Sequence, residues 1–427
     1  MNKVYINGII LDGTENMVPH KGKVIFVDGE KISRIEDKKG AKLKGYEIVD
    51  LKGKYIMPGL INLHVHMPAG GKPKKKQQDF RKLVKLITSN PISYAAVPMV
   101  VKKNAVTELM SGVTTLRAVG GIKNSESKIR DRINAGKILG PRMLVANEAI
   151  SVPGGHMAGS LAYEATSVED AIKYAKKIIE TKPDLLKLMI TGGVLDAEVR
   201  GEPGVLKMAP EMVKAACDVA HANGLKVAAH VESTEGVKVA LENGVDTIEH
   251  GAKTTEEIIQ LFKNRGAYHV ATLSAVMPYA LLPLEVTNFK EDDQFNGNVV
   301  FKGIVDCANE CLKEGVTVGL GTDTGCPYIT HYDMWREIYY FTKYCHVSNA
   351  FALHTATQVN AKIIGLEEEI GTIAEGFCAD MIVTEDNPLE DIKALRHVDM
   401  VITKGRLIPN PKVKKMENVE DALDTLL

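Results

Sequence analysis

Five side chains able to bind a metal ion or move a proton stand at the ends of apolar runs in the sequence. They are His64, His66, His230, His250 and Asp323. Side chains alternate along a β-strand, so His64 and His66, two positions apart, share a face and can chelate one divalent ion. One such pair is weak evidence, whereas four histidines and an aspartate at equivalent places indicate a metal centre.

Lys187 is unusual because it lies inside the strongly apolar run 185–190. A charged lysine is almost never buried without a partner. An inward-facing Lys187 therefore needs a counter-charge such as Asp323, a pKa shift that neutralises it, or reaction with CO₂ to give a carbamate. A carbamate is anionic and can bridge two cations. The residues alone leave the salt bridge and the carbamate equally open.

The runs that carry these residues alternate with helical stretches between about residues 58 and 371. The predicted strands are 60–64, 114–118, 142–146, 185–190, 225–230, 246–250, 267–272 and 316–321, and the predicted helices include 167–180, 209–222, 235–243 and 298–314. Such alternation predicts a mainly parallel sheet, and eight units favour a closed (β/α)₈ barrel with its active site at the carboxyl ends of the strands. A doubly wound open sheet is the alternative, but no G-x-G-x-x-G follows the first strand.

Both ends of the chain have a different pattern, with short strands. Asp28-Gly29 between two apolar runs predicts a hairpin, and strand-like segments return at 379–383 and 398–407. We expect one small β domain built from residues 1–57 and 371–427, and a barrel domain over residues 58–370.

Composition excludes several classes of protein. Apolar residues make up 45% and charged residues 25%, which argues against a disordered chain. The net charge of -1 argues against a nucleic-acid partner, and the absence of a long apolar run predicts no membrane association. Six cysteines without a C-x-x-C pair, and no signal sequence, favour a cytoplasmic location. The charge run 70–76 is interpreted as a solvated loop, with attraction of an acidic substrate as the alternative.

Two motifs resemble the amidohydrolase superfamily. Residues 57–66, MPGLINLHVH, are similar to its P-G-[LF]-I-[DN]-x-H-x-H motif. Residues 370–380, IGTIAEGFCAD, followed by DNPL at 386–389, resemble its return into a small β domain. The resemblance spans about residues 3–408. It implies a metal-dependent hydrolase with a (β/α)₈ TIM barrel and a β-sandwich formed by both chain termini.

Within the superfamily, four segments resemble the imidazolonepropionase-related metallopeptidases, the Xaa-Pro and Xaa-Arg dipeptidase-like branch. They are GGH at 154–156, TGGV at 191–194, IEHG at 248–251 and GTDTG at 321–325. The resemblance implies His64, His66 and Asp323 as ligands of one ion, His230 and His250 as ligands of another, and N6-carboxylated Lys187 as the bridge. The segment AHVES at 229–233 departs from the branch's A-H-A-H-G, and Met157 stands where an acid often follows.

The resemblance implies amide hydrolysis of a dipeptide or an N-acyl amino acid. Two divalent ions, zinc before manganese or iron, would share a hydroxide, with Asp323 as the proton shuttle. The expected binders of this small-molecule substrate are His156, Tyr163, His331 and Arg117, while Glu249 and His269 are expected to be structural. A homo-oligomer is expected by analogy. The alternatives are a cyclic amide hydrolase of the imidazolone or lactam type, a catalytically silent scaffold and a one-metal deaminase.

Overall fold

The computed structural model describes residues 2–73 and 80–427, which form two compact units. The first unit holds residues 2–62, 106–116 and 332–414, and the second holds 63–73, 80–105, 117–331 and 415–427. Residues 74–76 of the predicted charged loop lie outside the described residues. The predicted limits of the small β domain and of the barrel domain stay a prediction, because the two units are groups of residues in mutual contact rather than whole sheets.

The strands and helices are numbered along the chain. The strands are β1 (Lys3–Ile6), β2 (Ile9–Ile10), β3 (Lys23–Asp28), β4 (Lys31–Asp37), β5 (Glu47–Asp50), β6 (Tyr55–Pro58), β7 (Leu60–Val65), β8 (Val113–Ala118), β9 (Arg142–Val145), β10 (Ala149–Ser151), β11 (Ala162–Glu164), β12 (Leu185–Met189), β13 (Lys226–Val231), β14 (Thr247–His250), β15 (Tyr268–Ala271), β16 (Val318–Leu320), β17 (Met381–Thr384), β18 (Met400–Thr403) and β19 (Arg406–Pro409). The helices are α1 (Phe80–Thr88), α2 (Pro91–Tyr94), α3 (Val97–Met110), α4 (Ser125–Asn134), α5 (Val168–Ile179), α6 (Pro210–Ala222), α7 (Thr234–Glu242), α8 (Glu256–Arg265), α9 (Leu273–Leu281), α10 (Leu284–Thr287), α11 (Glu291–Lys313), α12 (Met334–Cys345), α13 (Asn349–His354), α14 (Asn360–Ile363) and α15 (Glu417–Asp424).

The first unit contains two sheets made from both ends of the chain. Their strand orders are β4-β3-β1-β5 and β19-β18-β17-β6-β2. The predicted hairpin joins β3 to β4, and the amino-terminal β6 pairs antiparallel with the carboxyl-terminal β17. Tyr5 and Ile25 of one sheet share a buried core with Ile56, Met381 and Ile402 of the other. This shared core makes the pair of sheets the expected β-sandwich.

Most of the barrel belongs to the second unit, and the first residues of β7 and β8 belong to the first. Two sheets, β7-β8-β9 and β11-β10-β12-β13-β14-β15-β16, are joined at both edges by backbone hydrogen bonds. The Asp184 amide donates to Val145 at the start of β12, and the Asp323 amide donates to His64 after β16, each at 2.8 Å. Counting the eight strands β7, β8, β9, β12, β13, β14, β15 and β16, the circuit closes, so the (β/α)₈ prediction is confirmed.

Helix ends follow the local sequence. The predicted helix 167–180 is α5, and its Ser167 hydroxyl accepts the Asp170 amide, which satisfies one amide of the first turn. The predicted helix 298–314 corresponds to the carboxyl-terminal two-thirds of the longer α11. That helix begins at Glu291. The negative charges of the three acidic residues in its first turn interact favourably with the positive end of the helix dipole. Among the described residues, no helix combines the length and apolar character needed to cross a membrane.

Candidate metal centre

The parallel register brings the predicted ligands to one edge of the barrel. Met189 of β12 pairs with His230 of β13, and Val231 pairs with His250 at the end of β14. Since β7 and β16 are joined through His64 and Asp323, the carboxyl ends of the first and last strands also meet there. Residues far apart in the sequence therefore share one site.

The distances define two adjoining groups of donors. Asp323 Oδ1 lies 3.4 Å from His64 Nε2 and 3.2 Å from His66 Nε2. One donor atom each from His64, His250 and Asp323 lie within 4.8 Å of one another, and so do one each from His230, Glu232 and His250. Both groups include His250. Imidazole and carboxylate are the ligands that zinc prefers in catalytic sites.

The imidazoles are held in orientation by hydrogen bonds at their other nitrogens. Nδ1 of His64 lies 2.9 Å from Glu249 Oε2, and Nδ1 of His66 lies 3.0 Å from the Gly120 carbonyl. His250 Nδ1 lies 2.7 Å from the Thr272 hydroxyl. Such contacts fix ring orientation and leave the second nitrogen of each ring for an ion.

Burial keeps these histidines in the ligand form. Burial, followed by the charge of Lys187, lowers the pKa of His64 to about 4. Burial also holds the pKa of His230 and of His250 well below the usual value. A neutral imidazole carries the lone pair that a metal ion requires, so three of the four histidines are ready to bind without losing a proton.

Two of the site residues have backbones in the left-handed region. The φ angle is 69° at His250 and 60° at Asp323, which is uncommon for residues other than glycine. His269 Nε2 donates to the His250 carbonyl at 2.7 Å, and the Asp323 amide donates to His64. Strained backbone that the surroundings hold in place is typical of functional sites. His269, expected to be structural, therefore stabilises the turn that positions a predicted ligand.

Lys187 lies fully buried in β12 beside these donors. Its Nζ makes no hydrogen bond with any described residue, and the salt bridge to Asp323 considered above is not formed. Burial lowers the pKa of Lys187 to about 8, so part of the amine is neutral at neutral pH. An orphaned amine among neutral imidazoles and carboxylates is a costly arrangement without further partners. The two adjoining groups of donors fit a centre of two cations, and an anionic carbamate on Lys187 would find partners there.

Glu249 and Arg117 support the site from a buried position. Glu249 accepts hydrogen bonds from Arg117 Nη2 and Thr247 Oγ1, each at 2.7 Å, with one oxygen, and contacts His64 with the other. Although burial opposes it, Arg117 holds the pKa of Glu249 below its usual range. Arg117 also donates to the Leu63 carbonyl. These contacts occupy the Arg117 guanidinium and favour a positioning role over the predicted binding of substrate.

Replacing Glu249 by alanine is expected to lower the free energy of unfolding by about 3–5 kcal/mol, because the Arg117 guanidinium would stay buried without its counter-charge. Urea unfolding of the metal-free protein measures this loss. Glu257→Ala is the matched control. It removes a carboxylate that pairs with Lys238 at 2.7 Å on the surface, where such pairs contribute less than about 1 kcal/mol. Equal losses in the two variants would contradict the assignment.

The remaining predicted substrate binders occupy different surroundings. The His156 ring stacks on His230 with centroids 4.1 Å apart, and its Nδ1 contacts Asp196. Tyr163 donates to Glu148, while His331 Nε2 donates to the Ala69 carbonyl at 2.7 Å. His156 is thus brought beside a predicted ligand. The substrate-binding roles of Tyr163 and His331 stay predictions.

Sequence reasoning missed Glu232 and Asp196. Glu232 was visible only as a departure from the dipeptidase-like pattern, and Asp196 lies in a short 3₁₀ turn, Val194–Asp196, that carries no spacing signal. The H-x-E spacing of His230 and Glu232 could have drawn attention to the first. The second could be found only from its contact with His156 in the folded chain.

Comparison with known proteins places the chain in a family. The sequence pattern of the amidohydrolase family matches residues 55–408. The chain belongs to the amidohydrolase family, and the resemblance described above is confirmed.

Individual relatives have the same architecture over most of the chain. Ochratoxinase from Aspergillus niger is 25% identical over 388 residues, which cover 84% of this chain and 76% of ochratoxinase. The crystal structure of a candidate prolidase from Bifidobacterium longum is 33% identical, with a TM-score of 0.87 and coverage of 99% and 98% of the two chains. That of a Xaa-Pro dipeptidase with bound methionine is 27% identical, with a TM-score of 0.83 and coverage of 96% and 100%. The chain is accordingly a hydrolase acting on C–N bonds.

Proposed function

We propose that the chain hydrolyses the amide bond of a dipeptide or an N-acyl amino acid at a centre of two divalent ions. The observation that carries the proposal is the buried, unpartnered amine of Lys187 among histidines and Asp323. A buried amine without a partner is unfavourable in a core that holds no ions. In a metal centre it could be converted to a ligand. The likeness to a Xaa-Pro dipeptidase and to a candidate prolidase supports the choice of substrate class.

The proposed ligands divide into two sets. His64, His66 and Asp323 would hold one ion, and His230 and His250 would hold the other. The neutral amine of Lys187 would add to CO₂ and release a proton, which leaves an anionic carbamate able to contact both ions. Zinc suits this donor set best, with manganese or iron as alternatives. When bound, such ions polarise a carbonyl and lower the pKa of water from 15.7 towards about 7.

Asp323 is the proposed carrier of the proton. Burial alone would raise the pKa of Asp323, but contacts with His64 and His66 hold it well below its usual range. The carboxylate is therefore ionised at neutral pH and able to accept a proton from the attacking water. Its position beside two of the proposed ligands allows it to pass that proton to the leaving nitrogen, which must be protonated as the C–N bond breaks.

His156 is the best-placed group for contact with the substrate. It stacks on His230 and is oriented by Asp196, so its remaining ring nitrogen is free of that contact and can donate to a substrate carboxylate. The proposed substrate is a small molecule. The homo-oligomer and the cytoplasmic location stay predictions.

A substrate panel tests the proposal. Purified protein loaded with zinc is expected to hydrolyse Xaa-Pro dipeptides, Xaa-Arg dipeptides or N-acyl amino acids, to lose this activity when a chelator removes the ions, and to recover it when zinc returns. Release of the free amine measures turnover. Activity confined to imidazolones, lactams or other cyclic amides would overturn the choice of substrate. A folded protein that takes up no ion and cleaves none of these compounds would favour the silent scaffold.

A further inference from the structure

The end of β13 repeats the spacing of the first strand. His230 and Glu232 are two residues apart, as are His64 and His66 at the end of β7. Alternation of side chains along an extended chain places both members of each pair on the same face. The barrel therefore presents two chelating pairs, one H-x-H and one H-x-E.

Glu232 is buried and incompletely partnered. Glu232 is only 9% exposed, and its Oε2 makes no hydrogen bond with any described residue. The neighbouring imidazole of His156 is already engaged by Asp196. A carboxylate oxygen withdrawn from water without a partner is costly, so the arrangement calls for a further positively charged group.

Two contacts hold the backbone at Glu232 in place, which fixes the direction of its side chain. Its amide donates to the Thr191 hydroxyl at 3.0 Å. Gly204 packs so closely against the Glu232 backbone that a Cβ at position 204 would lie 2.2 Å from the Glu232 carbonyl oxygen. A ligand held by its surroundings needs little ordering when an ion binds, which favours affinity.

The donors around Glu232 match a known type of metal site. One donor atom each from His230, Glu232 and His250 lie within 4.8 Å of one another. Two imidazoles and one carboxylate are the three protein ligands of several catalytic zinc sites, in which the fourth position stays open to water or substrate. The same set also suits iron(II).

We infer that Glu232 is a third protein ligand of the ion that His230 and His250 hold. The inference rests on the metal centre of the proposed function but not on its substrate. It makes the binding of this ion partly independent of the carbamate on Lys187. The dipeptidase-like resemblance supplies only the two histidines on this side, so Glu232 distinguishes this chain from that pattern.

Metal binding by single variants tests the inference. Wild-type protein and Glu232→Gln are equilibrated with zinc against a graded series of chelator concentrations, and bound zinc is measured per chain. Wild type is expected to hold two equivalents. Glu232→Gln is expected to release one of them at a free zinc concentration about tenfold or more higher, because the amide lacks the charge of a ligating carboxylate. Cobalt(II) provides a second readout, since its visible spectrum changes when a ligand is lost.

Two further variants serve as controls. Glu235→Gln makes the same chemical change at an exposed position in the first turn of α7 and is expected to bind zinc as wild type does. Glu232→His restores a ligand at the site and is expected to recover the second equivalent. The double variant Lys187→Ala/Glu232→Gln is expected to bind less zinc than Lys187→Ala alone, because its ion beside His230 would keep only two protein donors.

The outcomes separate the two proposals. If Glu232→Gln keeps both equivalents with wild-type affinity and an unchanged cobalt spectrum, the ligand assignment is wrong and the proposed function is unaffected. If wild type takes up no ion, both fail. If Glu232→Gln and Glu232→His both lose the folded circular dichroism signal, Glu232 is required for folding and the assignment as a ligand is overturned.

Discussion

Replacing Lys187 by alanine is expected to remove most of the hydrolytic activity and to lower the metal content from two equivalents per chain towards one. The variant lacks the amine that would become the carbamate, so both ions lose an anionic ligand. The ion that His64, His66 and Asp323 hold keeps three protein donors in this variant. The ion beside His230 keeps three only if Glu232 binds it, so it should be the more readily lost. Turnover of a dipeptide and bound zinc per chain, measured on the same preparation, check this expectation.

Lys226→Ala is the matched control for this experiment. Lys226 pairs with Leu185 in the adjacent strand register but is exposed at the start of β13. Its replacement should leave turnover and zinc content unchanged. Lys187→Arg adds a second comparison, because arginine keeps a positive charge yet does not form a carbamate. Unchanged turnover in Lys187→Ala would contradict the bridging role, and full activity in Lys187→Arg would favour a purely cationic role.

Dependence on CO₂ gives a readout that a structural lysine would not produce. Metal-free wild type reconstituted with zinc in bicarbonate-free buffer should regain activity slowly, and added bicarbonate should restore it. Lys187→Ala should show no such response. Because a short carboxylic acid can occupy the space left by the side chain, added acetate or propionate should recover part of the lost activity in that variant.

The barrel was predictable because its strands are continuous apolar runs separated by helical segments. The predicted strand 60–64 is β7, Leu60–Val65, and 185–190 is β12, Leu185–Met189. Both faces of such strands are covered, so their sequences lack polar alternation and are easily recognised. The residues at the end of each run, or just beyond it, then fall at the carboxyl edge by topology alone. The placement of His64, His230 and Asp323 follows from this without knowledge of any contact.

The role of Glu249 could not be predicted in the same way. Alternation along β14 would place Glu249 and His250 on opposite faces. The left-handed backbone of His250 breaks the alternation, so Glu249 contacts His64 while the His250 ring lies 4.9 Å from that of His64. The turn is held by His269, which is distant in sequence. A local sequence pattern does not predict such a contact.

Arg117 illustrates the same limit for charged residues. From the sequence, an arginine on a barrel strand has no visible counter-charge, so binding of a substrate carboxylate was a reasonable expectation. In the folded chain Glu249 and Thr247, 132 and 130 residues away, receive its hydrogen bonds. The partner of a buried charge depends on strand order around the barrel, which the sequence does not display directly.

Replacing Asp323 by asparagine is expected to lower turnover by about 10²–10⁴-fold while sparing the fold. Asparagine has the same shape and is among the residues that best tolerate the left-handed backbone, so the φ angle of 60° should persist. It has no carboxylate to accept a proton. Asp218→Asn, which alters an exposed aspartate paired with Lys214, is the matched control and should leave turnover unchanged.

The choice of leaving group separates proton transfer by Asp323 from its proposed part in binding an ion. The comparison is made per loaded centre, with zinc content measured for each sample. If Asp323 protonates the leaving nitrogen, kcat should fall far more than KM rises. The defect should then shrink for anilides whose amines need less help to depart. A fall of less than tenfold in fully loaded protein would refute the shuttle. A uniform loss across all leaving groups would instead indicate that Asp323 acts through its charge in the metal centre, because a proton donor must matter most for the poorest leaving group.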